Sequence, residues 1–413
     1  MRIIYSGLLY LLAPLVPLYL KKRGKKNPQY LENWHERFGW NLVNPSTKPI
    51  VWFHSVSVGE TRAMYKLVEL FNENLPEYQI LITTMTPTGR ETAKKLYPYA
   101  HIHYVPYDLS FSVQQFYKTF KPKLGIILET EIWPNLVHFA ARNAIPLYLV
   151  NARLSNRSYI GYNRFKMVLA SILNKFTGIL CQDQNTLNNF VKLNYSGKLA
   201  VVGNTKFDLV LNSDINQLIM LFKQMFAERK VITFASTRDG EEELILDNLD
   251  FSEDVVYLII PRHPERFAEL ENLLVQRNVN YQKRSDGNLI KPETKVVIGD
   301  SMGEMLAYYA ISYLAIIGGS FKDFGGQNPI EAIFMHVPVI FGNSMYNFNE
   351  IAENCLTDGC AYQIDSVSKL SDAIHKMLHN ANEYVELKDH CDKFINKYQG
   401  ASQRVFDIVK QGL

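Results

Sequence analysis

The 413-residue sequence is poor in cysteine, and its four cysteines form no CxxC pair. Because no histidines accompany them at ligand spacing, they predict reduced structural thiols, as in a cytoplasmic protein. The net charge is only +3, which gives no argument for nucleic-acid binding. With 47% hydrophobic and 12% aromatic residues, the chain has enough apolar material to exclude disorder. The cysteines are Cys181, Cys355, Cys360 and Cys391.

Several motifs that carry known chemistry are also missing. The absence of GxxxxGK(S/T) argues against a P-loop nucleotide hydrolase. The turn after the first predicted strand lacks the GxGxxG spacing of a dinucleotide-binding loop. There is no HExxH motif, no clustered His/Asp set and no DxD triplet to hold a metal-bound diphosphate. The sequence therefore predicts neither a metal ion nor a cofactor.

The N-terminus joins an apolar stretch to a basic run. Residues 3–20 are mostly apolar, include two prolines, and precede five basic residues between positions 21 and 26. That length is at the lower edge of the roughly 17–25 residues that span a bilayer. Secretion is disfavoured because a signal peptide carries its charges before the apolar stretch. The pattern favours an inner-leaflet anchor or a single span over a buried core segment, and it does not separate the first two.

After the anchor, short apolar runs alternate with helical patterns, as in βαβ units. Apolar runs bounded by turn residues are typical of buried parallel strands. Two series of them predict an α/β fold with two doubly wound, Rossmann-like domains. We expect an anchor over 1–26, a first domain over 27–211, a linker over 212–230 and a second domain over 231–413, and we leave open whether the last helix crosses back. The predicted strands are 50–54, 78–83, 101–105, 124–128, 146–150, 178–181 and 199–202, then 231–236, 255–260, 296–298, 314–317 and 337–340.

Acidic residues follow two predicted strands of the first domain. Glu60 lies at a strand-to-helix turn, where a carboxylate either enters a cleft or caps the helix. Glu129 and Glu131 follow strand 124–128. Paired acids at a strand end share acid–base work or orient a substrate hydroxyl, unless one faces solvent and the other caps a helix. Because ligands of doubly wound sheets bind beyond the carboxyl ends of strands, these residues are candidates for a site.

Three turns of the second half suit a nucleotide. The glycine-rich stretch 318–332 follows an apolar strand and precedes a helix start. Its amides either hold a phosphate or form an ordinary strand-to-helix turn, and Glu331 lies where a carboxylate can accept hydrogen bonds from ribose hydroxyls. The turn 261–266 contains two arginines, which either bind an anion or form surface salt bridges. Together with the strand-end turn 299–305, these segments indicate a nucleotide in the second domain.

Seven segments, read in chain order, form a pattern longer than any single motif. They are FHSVSVGE (53–60), TMTPTG (84–89), ETEIWPN (129–135), NARLS (151–155), GNTKFD (203–208), PRHPER (261–266) and GGQNPIEA (325–332). Together they resemble the bacterial 3-deoxy-D-manno-octulosonic acid (Kdo) transferases of lipopolysaccharide core assembly. The resemblance covers nearly the whole chain, including the N-terminal anchor.

The resemblance implies a GT-B glycosyltransferase, with two Rossmann-like domains facing a cleft, the acceptor on the first domain and CMP-Kdo on the second. It implies an inverting, metal-independent transfer of Kdo from CMP-Kdo to a lipid A precursor (lipid IVA) at the cytoplasmic face of the inner membrane, with no cofactor and no nucleic acid. Glu60 is expected to be the general base, while Lys206 and Glu131, in preference to Glu129, stabilise the transition state. The residues expected to line the CMP site are Pro261, Arg262, Met302, Gly303, Glu304, Asn328, Pro329, Ile330 and Glu331.

The sequence departs from the family pattern at Gln327, where histidine is common, and loosely over the turn 237–242. Two other interpretations stay open: a GT-B enzyme with another nucleotide sugar, as a transferase or an epimerase, and a non-catalytic, membrane-tethered binding protein. Glu60 and Lys206 argue against the binding protein, since a binder needs no base. Candidate contacts to the lipid phosphates are Arg62, Arg90, Lys94 and Lys95.

Overall fold

The computed structural model of the protein describes residues 2–211 and 213–413. Met1 of the expected anchor and Asn212 of the expected linker therefore lie outside the described residues. The chain divides into two compact units, Met1–Val210 with Tyr398–Leu413, and Leu211–Lys397. The C-terminal helix thus belongs to the first unit, and the segment expected as a linker lies in the second.

The first unit contains a seven-stranded sheet within its described residues. Its strands are β1 (Ile50–His54), β2 (Gln79–Thr84), β3 (His101–Tyr104), β4 (Leu124–Leu128), β5 (Leu147–Ala152), β6 (Gly178–Cys181) and β7 (Lys198–Val201). They are ordered β3-β2-β1-β4-β5-β6-β7, and every neighbouring pair is parallel. All five residues of β1 are buried, as expected for a parallel strand covered on both faces.

The second unit also contains a parallel sheet, again with seven strands among its described residues. They are β8 (Lys230–Thr237), β9 (Val255–Pro261), β10 (Tyr281–Lys283), β11 (Val296–Ile298), β12 (Ser312–Ile317), β13 (Val339–Phe341) and β14 (Ala361–Gln363). Their order is β10-β11-β9-β8-β12-β13-β14. Two doubly wound α/β units are therefore present, and the prediction of an α/β fold with two such domains is confirmed.

Helices connect the strands of both sheets. In the first unit they are α1 (Arg2–Leu12), α2 (Val16–Gly24), α3 (Val58–Ala63), α4 (Tyr65–Asn74), α5 (Pro87–Leu96), α6 (Ser110–Phe120), α7 (Pro134–Arg142), α8 (Asn156–Asn163), α9 (Lys166–Leu173) and α10 (Gln184–Lys192). The next are α11 (Ser213–Phe226), α12 (Glu241–Leu246), α13 (Phe267–Gln276), α14 (Met305–Ala310), α15 (Ile330–Phe334), α16 (Asn349–Thr357), α17 (Leu370–His379) and α18 (Ala381–Tyr398). The chain then returns to the first unit in α19 (Ala401–Val409).

The core of the first unit lies on both faces of its sheet. Alternate residues of β1 point to opposite faces, so Trp52 joins one apolar cluster and Phe53 the other. Helix α19 completes the second cluster, where Phe406 packs edge-on against Phe71 with ring centroids 4.9 Å apart. The four cysteines are free and buried.

Local differences from the sequence prediction have simple causes. The helical segment after β1, which the sequence pattern predicts as one helix over 59–72, is interrupted at Met64, whose φ of −89° and ψ of 0° separate α3 from α4. The short strands β10 and β14 were not predicted. Each has three residues, lies at a sheet edge and is partly exposed, so neither shows the apolar run by which buried strands are recognised.

The apolar N-terminal helices lie against the first unit. The Arg2 guanidinium donates to Asn135 Oδ1 at 3.0 Å, and the buried Ser6 hydroxyl donates to the same oxygen at 3.1 Å. The Tyr10 hydroxyl accepts a hydrogen bond from the Phe111 amide. The segment Arg2–Gly24 is long and apolar enough to cross a membrane. An 18-residue stretch of it has a mean hydropathy of 1.8, and 11% of that stretch is buried. One side of this segment is therefore attached to the protein while most of it is exposed.

Candidate active site

Two turns of the first unit follow the carboxyl ends of β1 and β4, which are neighbouring strands of its sheet. Strands β1 and β4 are hydrogen-bonded, with His54 opposite Ile127 near their carboxyl ends. The direction of the strand order reverses here, because β2 lies on the other side of β1. Doubly wound sheets bind ligands at such a point. The turn that carries Glu60 and the turn that carries Glu129 and Glu131 therefore begin at the sheet edge where a ligand is expected.

Glu60 is fixed by the turn that starts α3. Ser57 caps this helix and accepts a hydrogen bond from the Glu60 amide at 3.2 Å. The Glu60 carboxylate accepts from the Val56 amide at 2.7 Å and from the Ser57 hydroxyl at 2.8 Å. Burial raises the pKa of Glu60; the two hydrogen bonds oppose this, and the charges of Glu129 and Glu131 add to it. Glu60 is thus both a capping residue and a stronger base than an exposed glutamate.

Lys206 pairs with Glu129, the acid that was given the lower preference for a role in the transition state. The Lys206 Nζ atom lies 2.8 Å from Glu129 Oε1, and the two side chains remain partly exposed. Glu129 follows β4 with a left-handed φ of 57°, a conformation that is uncommon for residues other than glycine. Lys206 lies in a short 3-10 turn whose start is capped by Asn204. The pair places one cation beside the acidic turn.

Glu131 is held by a tryptophan. Its Oε2 atom accepts a hydrogen bond from Trp133 Nε1 at 2.7 Å. Burial raises the pKa of Glu131 and the charge of Glu129 adds to this, although the bond from Trp133 lowers it. The Trp133 ring packs edge-on against His54, with centroids 5.6 Å apart. Through Trp133, the acidic turn is therefore packed against the end of β1.

Sequence reasoning did not single out His54 or Asn151 as site residues. His54 is buried, its Nδ1 lies 3.0 Å from Thr83 Oγ1, and its Nε2 has no hydrogen-bond partner among the described residues. Burial lowers the pKa of His54 to about 4, so the ring is neutral at pH 7. Asn151, with φ 54°, accepts from the Thr205 amide and so fixes the turn before Lys206. The sequence feature that could have identified both residues is a polar residue at or near the end of an apolar strand.

The two arginines after β9 have different environments. The Arg262 amide donates to Thr237 O at 2.9 Å, while its side chain is exposed and forms no ion pair with the described residues. Arg266 is 9% exposed and pairs with Glu242 at 2.8 Å and with Asp239. Arg266 therefore fits the salt-bridge alternative, and Arg262 is the arginine of this turn available to an anion.

In the first part of the glycine-rich stretch, two backbone amides already donate hydrogen bonds to a side chain of the protein. The buried Glu241 carboxylate accepts from the Gly319 amide at 2.6 Å and from the Phe321 amide at 3.0 Å. It also accepts from the Arg238 amide at 2.8 Å. The amides of Gly319 and Phe321 therefore fit the alternative of an ordinary strand-to-helix turn, because a carboxylate 78 residues away in the chain already accepts from Gly319 N. The sequence feature that could have indicated this contact is the acidic start of α12. It lies in and beside the turn 237–242, which was predicted only to be a loose variant of the family pattern.

The later part of this stretch begins α15. Asn328 Oδ1 accepts from the Ile330 amide at 3.1 Å, and Pro329 immediately precedes the helix. A side chain added at Gly319 would lie 3.3 Å from Gln327 Nε2. Gln327 therefore packs over the turn as a neutral amide, in the place where the family pattern has a titratable ring.

The turn after β11 is also organised by an ion pair. Glu304 accepts from Arg284 Nε at 3.1 Å and from Arg284 Nη2 at 2.9 Å, and it accepts from the Ser301 hydroxyl as well. Met302 is 60% exposed, and Gly303 has a φ of 85° that disfavours a side chain. The structure thus places Met302 and Gly303 on the surface of the turn, while the Glu304 carboxylate is already partnered.

One expected lipid-phosphate contact is a structural residue instead. Arg90 forms a buried two-point ion pair with Glu36, at 2.5 and 3.1 Å. Lys94 pairs with Glu91 on the surface at 2.9 Å, and Arg62 and Lys95 are exposed. Arg90 is therefore removed from the set of candidate acceptor contacts.

Comparison with known proteins gives a consistent result. The family described as 3-deoxy-D-manno-octulosonic-acid transferase (kdotransferase) matches residues 32–209. The 3-deoxy-D-manno-octulosonic acid transferase of Haemophilus influenzae is 34% identical, over 99% of this chain and 98% of its own. That of Bordetella pertussis is 31% identical, over 100% and 99%. The UDP-GlcNAc 2-epimerase of Neisseria meningitidis, solved with UDP-GlcNAc, has a TM-score of 0.62 over 88% of this chain and all of its own, but at 14% identity it is similar in fold alone.

Proposed function

The chain belongs to the Kdo transferase family, and from this premise we propose that it transfers Kdo from CMP-Kdo to a lipid A precursor, with inversion at the anomeric carbon. It is a glycosyltransferase that acts in lipopolysaccharide core biosynthesis. The observation that carries the proposal is identity over nearly the full length of both chains, combined with three acids and a lysine on turns of the first sheet.

The reaction is a single displacement. The acceptor hydroxyl oxygen attacks the anomeric carbon of Kdo, the bond from that carbon to the CMP phosphate breaks, and its electron pair leaves on CMP. Glu60 takes the hydroxyl proton. Each of its carboxylate oxygens already accepts one hydrogen bond, from Val56 or from Ser57, and keeps a lone pair for this proton. The raised pKa of Glu60 brings its basicity closer to that of the transition-state oxygen, which favours transfer.

Positive charge offsets the charge that develops on the leaving phosphate. Lys206 carries such a charge and is held in place by Glu129, so Glu129 is proposed as a positioning residue for the lysine. Glu131 keeps its proposed role in stabilising the transition state, through the orientation that Trp133 gives it. Preorganised charges of this kind cost no rearrangement during the reaction.

The second unit is proposed to bind the CMP part of the donor. Arg262 supports this because its guanidinium is exposed and forms no ion pair with the described residues. The exposed Met302 and the glycine after it leave space beside the β11 turn for a base or ribose. The remaining proposed CMP contacts are Pro261, Glu304, Asn328, Pro329, Ile330 and Glu331, of which Asn328 already caps the start of α15.

The N-terminal helices are proposed to lie along the cytoplasmic face of the inner membrane rather than to cross it. Ser6 is buried against Asn135, so a crossing helix would have to give up these contacts with the first unit. The opposite side exposes large apolar residues, and α2 ends in basic residues. An apolar face with a basic flank is the pattern of a helix held in the membrane interface by lipid tails and anionic head groups. The exposed apolar residues are Ile3, Ile4, Leu8, Leu11, Leu12, Leu15 and Leu18.

The proposed function is tested by mass analysis of the product made from CMP-Kdo and a lipid A precursor in detergent. We expect the acceptor mass to rise by one or more Kdo residues, and CMP to be released in equal number. UDP-GlcNAc in place of CMP-Kdo is the matched control, because the fold is shared with an epimerase solved with that nucleotide sugar. Transfer from UDP-GlcNAc, or no transfer from CMP-Kdo, would refute the proposal.

A further inference from the structure

Two histidines and a glutamate meet on the surface of the second unit, apart from the residues proposed to bind the donor. His375 and His379 are four residues apart on α17, so they lie on one face of the helix. Their ring centroids are 4.2 Å apart. Glu253, in the segment before β9, is 122 residues from His375 in the chain. All three ligand atoms lie within 4.8 Å of one another.

The two rings compete for a single carboxylate oxygen. Glu253 Oε1 lies 2.7 Å from His375 Nδ1 and 2.9 Å from His379 Nε2. In the neutral rings, both of these nitrogens can also act as metal ligands through their lone pairs. The carboxylate is mostly buried, with 18% of its side chain exposed, while both rings are exposed. The arrangement therefore presents two nitrogens and one oxygen to one point at the surface.

The surrounding structure holds the three groups in place. The loop before Glu253 is fastened to α17, because Ser371 Oγ accepts from the Asp250 amide at 2.9 Å and donates to Asn248 O at 2.6 Å. The nearby cations have partners of their own: Lys295 binds the backbone oxygen of Glu253, and Lys376 pairs with Glu383. Neither lysine forms an ion pair with the Glu253 carboxylate.

We propose that Glu253, His375 and His379 form a binding site for a divalent transition-metal ion of the zinc class, which cross-links α17 to the segment before β9. Zinc binds imidazole nitrogen at about 2.0–2.1 Å and carboxylate oxygen at about 2.0–2.2 Å, usually in a tetrahedron. Neighbouring ligand atoms are then about 3.3 Å apart. The two nitrogen–oxygen separations, 2.7 and 2.9 Å, need to widen by only about half an ångström, and exposed rings can rotate that far. Water completes the coordination.

The role of this site is structural. Glu253 precedes β9, whereas Arg262 follows it, and a seven-residue strand is about 20 Å long. A bound ion would be too far from that turn to touch the donor. An ion bound only by the folded state raises the stability of the protein by mass action. The sequence contained one part of the signal, the four-residue spacing of two histidines on a helix, but not the distant glutamate.

The test is metal titration of the full-length protein in detergent, free of any polyhistidine tag and stripped with a chelator that is then removed. Calorimetry with Zn²⁺ is expected to show one saturable site, and Co²⁺ is expected to give the visible absorption of a tetrahedral ion. His375→Ala and His379→Ala should each weaken binding at least about tenfold. His336→Ala is the matched control, since His336 is also exposed and faces a single carboxylate, that of Asp392.

Thermal unfolding gives a second readout. Zn²⁺ should raise the unfolding temperature of the unsubstituted protein and of His336→Ala, but not that of His379→Ala. No saturable binding below about 100 µM Zn²⁺, or binding by His375→Ala and His379→Ala as strong as that of the unsubstituted protein, would show that the cluster is only a pair of hydrogen bonds.

Discussion

Replacing Glu60 by glutamine removes the proposed base while keeping the turn that holds it. The glutamine oxygen can accept from the Val56 amide, and its NH2 group can donate to Ser57 Oγ, which rotates its own hydrogen away. The exchange of a charged for a neutral acceptor should cost the fold only about 1 kcal/mol. General base catalysis contributes about 10²–10⁴ in rate, which is about 3–5 kcal/mol of activation free energy. We therefore expect kcat to fall by that factor with little change in the urea unfolding midpoint.

The assay measures the release of CMP in the presence of the lipid acceptor, for the unsubstituted protein, Glu60→Gln and Glu73→Gln. Glu73 is the control because it is an exposed glutamate on α4, outside the proposed site. Should Glu60→Gln retain more than about a tenth of the rate while folded, the assignment of the base is wrong.

The pH dependence gives an independent check on the same residue. Burial and the charges of Glu129 and Glu131 raise the pKa of Glu60 above its ordinary 4.5, so the acid limb of kcat/KM should lie above pH 4.5. Glu129→Gln removes one of these charges and leaves Lys206 without its partner. Both effects lower the pKa of Glu60, so the acid limb should move to lower pH. A limb that stays in place would show that Glu129 does not influence the base.

Three further changes address the other residues of the site and its support. Lys206→Ala should lower kcat by about 10²-fold with little effect on the KM for CMP-Kdo, measured in steady state; Lys206→Arg should restore part of it. Arg262→Ala should instead raise that KM, because it removes an anion contact, and a change in kcat alone would contradict a donor role. Glu36→Gln should destabilise the protein by about 3–5 kcal/mol in urea unfolding, since it leaves Arg90 buried without its partner. Burial would raise the pKa of Glu36, but His103, Arg90 and the Tyr104 amide outweigh it and hold the pKa at about 2. The stabilisation of the fold by the Glu36 carboxylate is therefore full above pH 4.5 and is lost as pH falls from about 4.5 to about 2. The free energy of unfolding of Glu36→Gln should vary less over this range.

Much of the fold follows from local sequence, since a short apolar run bounded by turn residues, such as Ile50–Phe53 in β1, is typical of a strand covered on both faces. The acidic turns were also accessible, because strand ends at a reversal of sheet order are where doubly wound folds bind ligands. Contacts between distant segments of the chain could not be predicted from the sequence. The pairing of Lys206 with Glu129 spans 77 residues, and the capture of Gly319 N by Glu241 spans 78. Glycine spacing shows that a backbone can approach a ligand, but not whether a side chain reaches it first.

The attachment of α1 bears on how the enzyme can be made soluble. Deleting residues 1–26 would remove Arg2 and Ser6 from Asn135, a fully buried residue at the start of α7. It would also remove Leu20, which is 2% exposed, and so uncover Phe38 and Leu109, with which it forms a small core. Asn135, which would lose its contacts to Arg2 and Ser6, is two residues from Trp133, the tryptophan that holds Glu131. Low activity of such a protein would therefore report a damaged first unit as well as a lost membrane contact, and detergent extraction of the whole chain is the sounder route to kinetics.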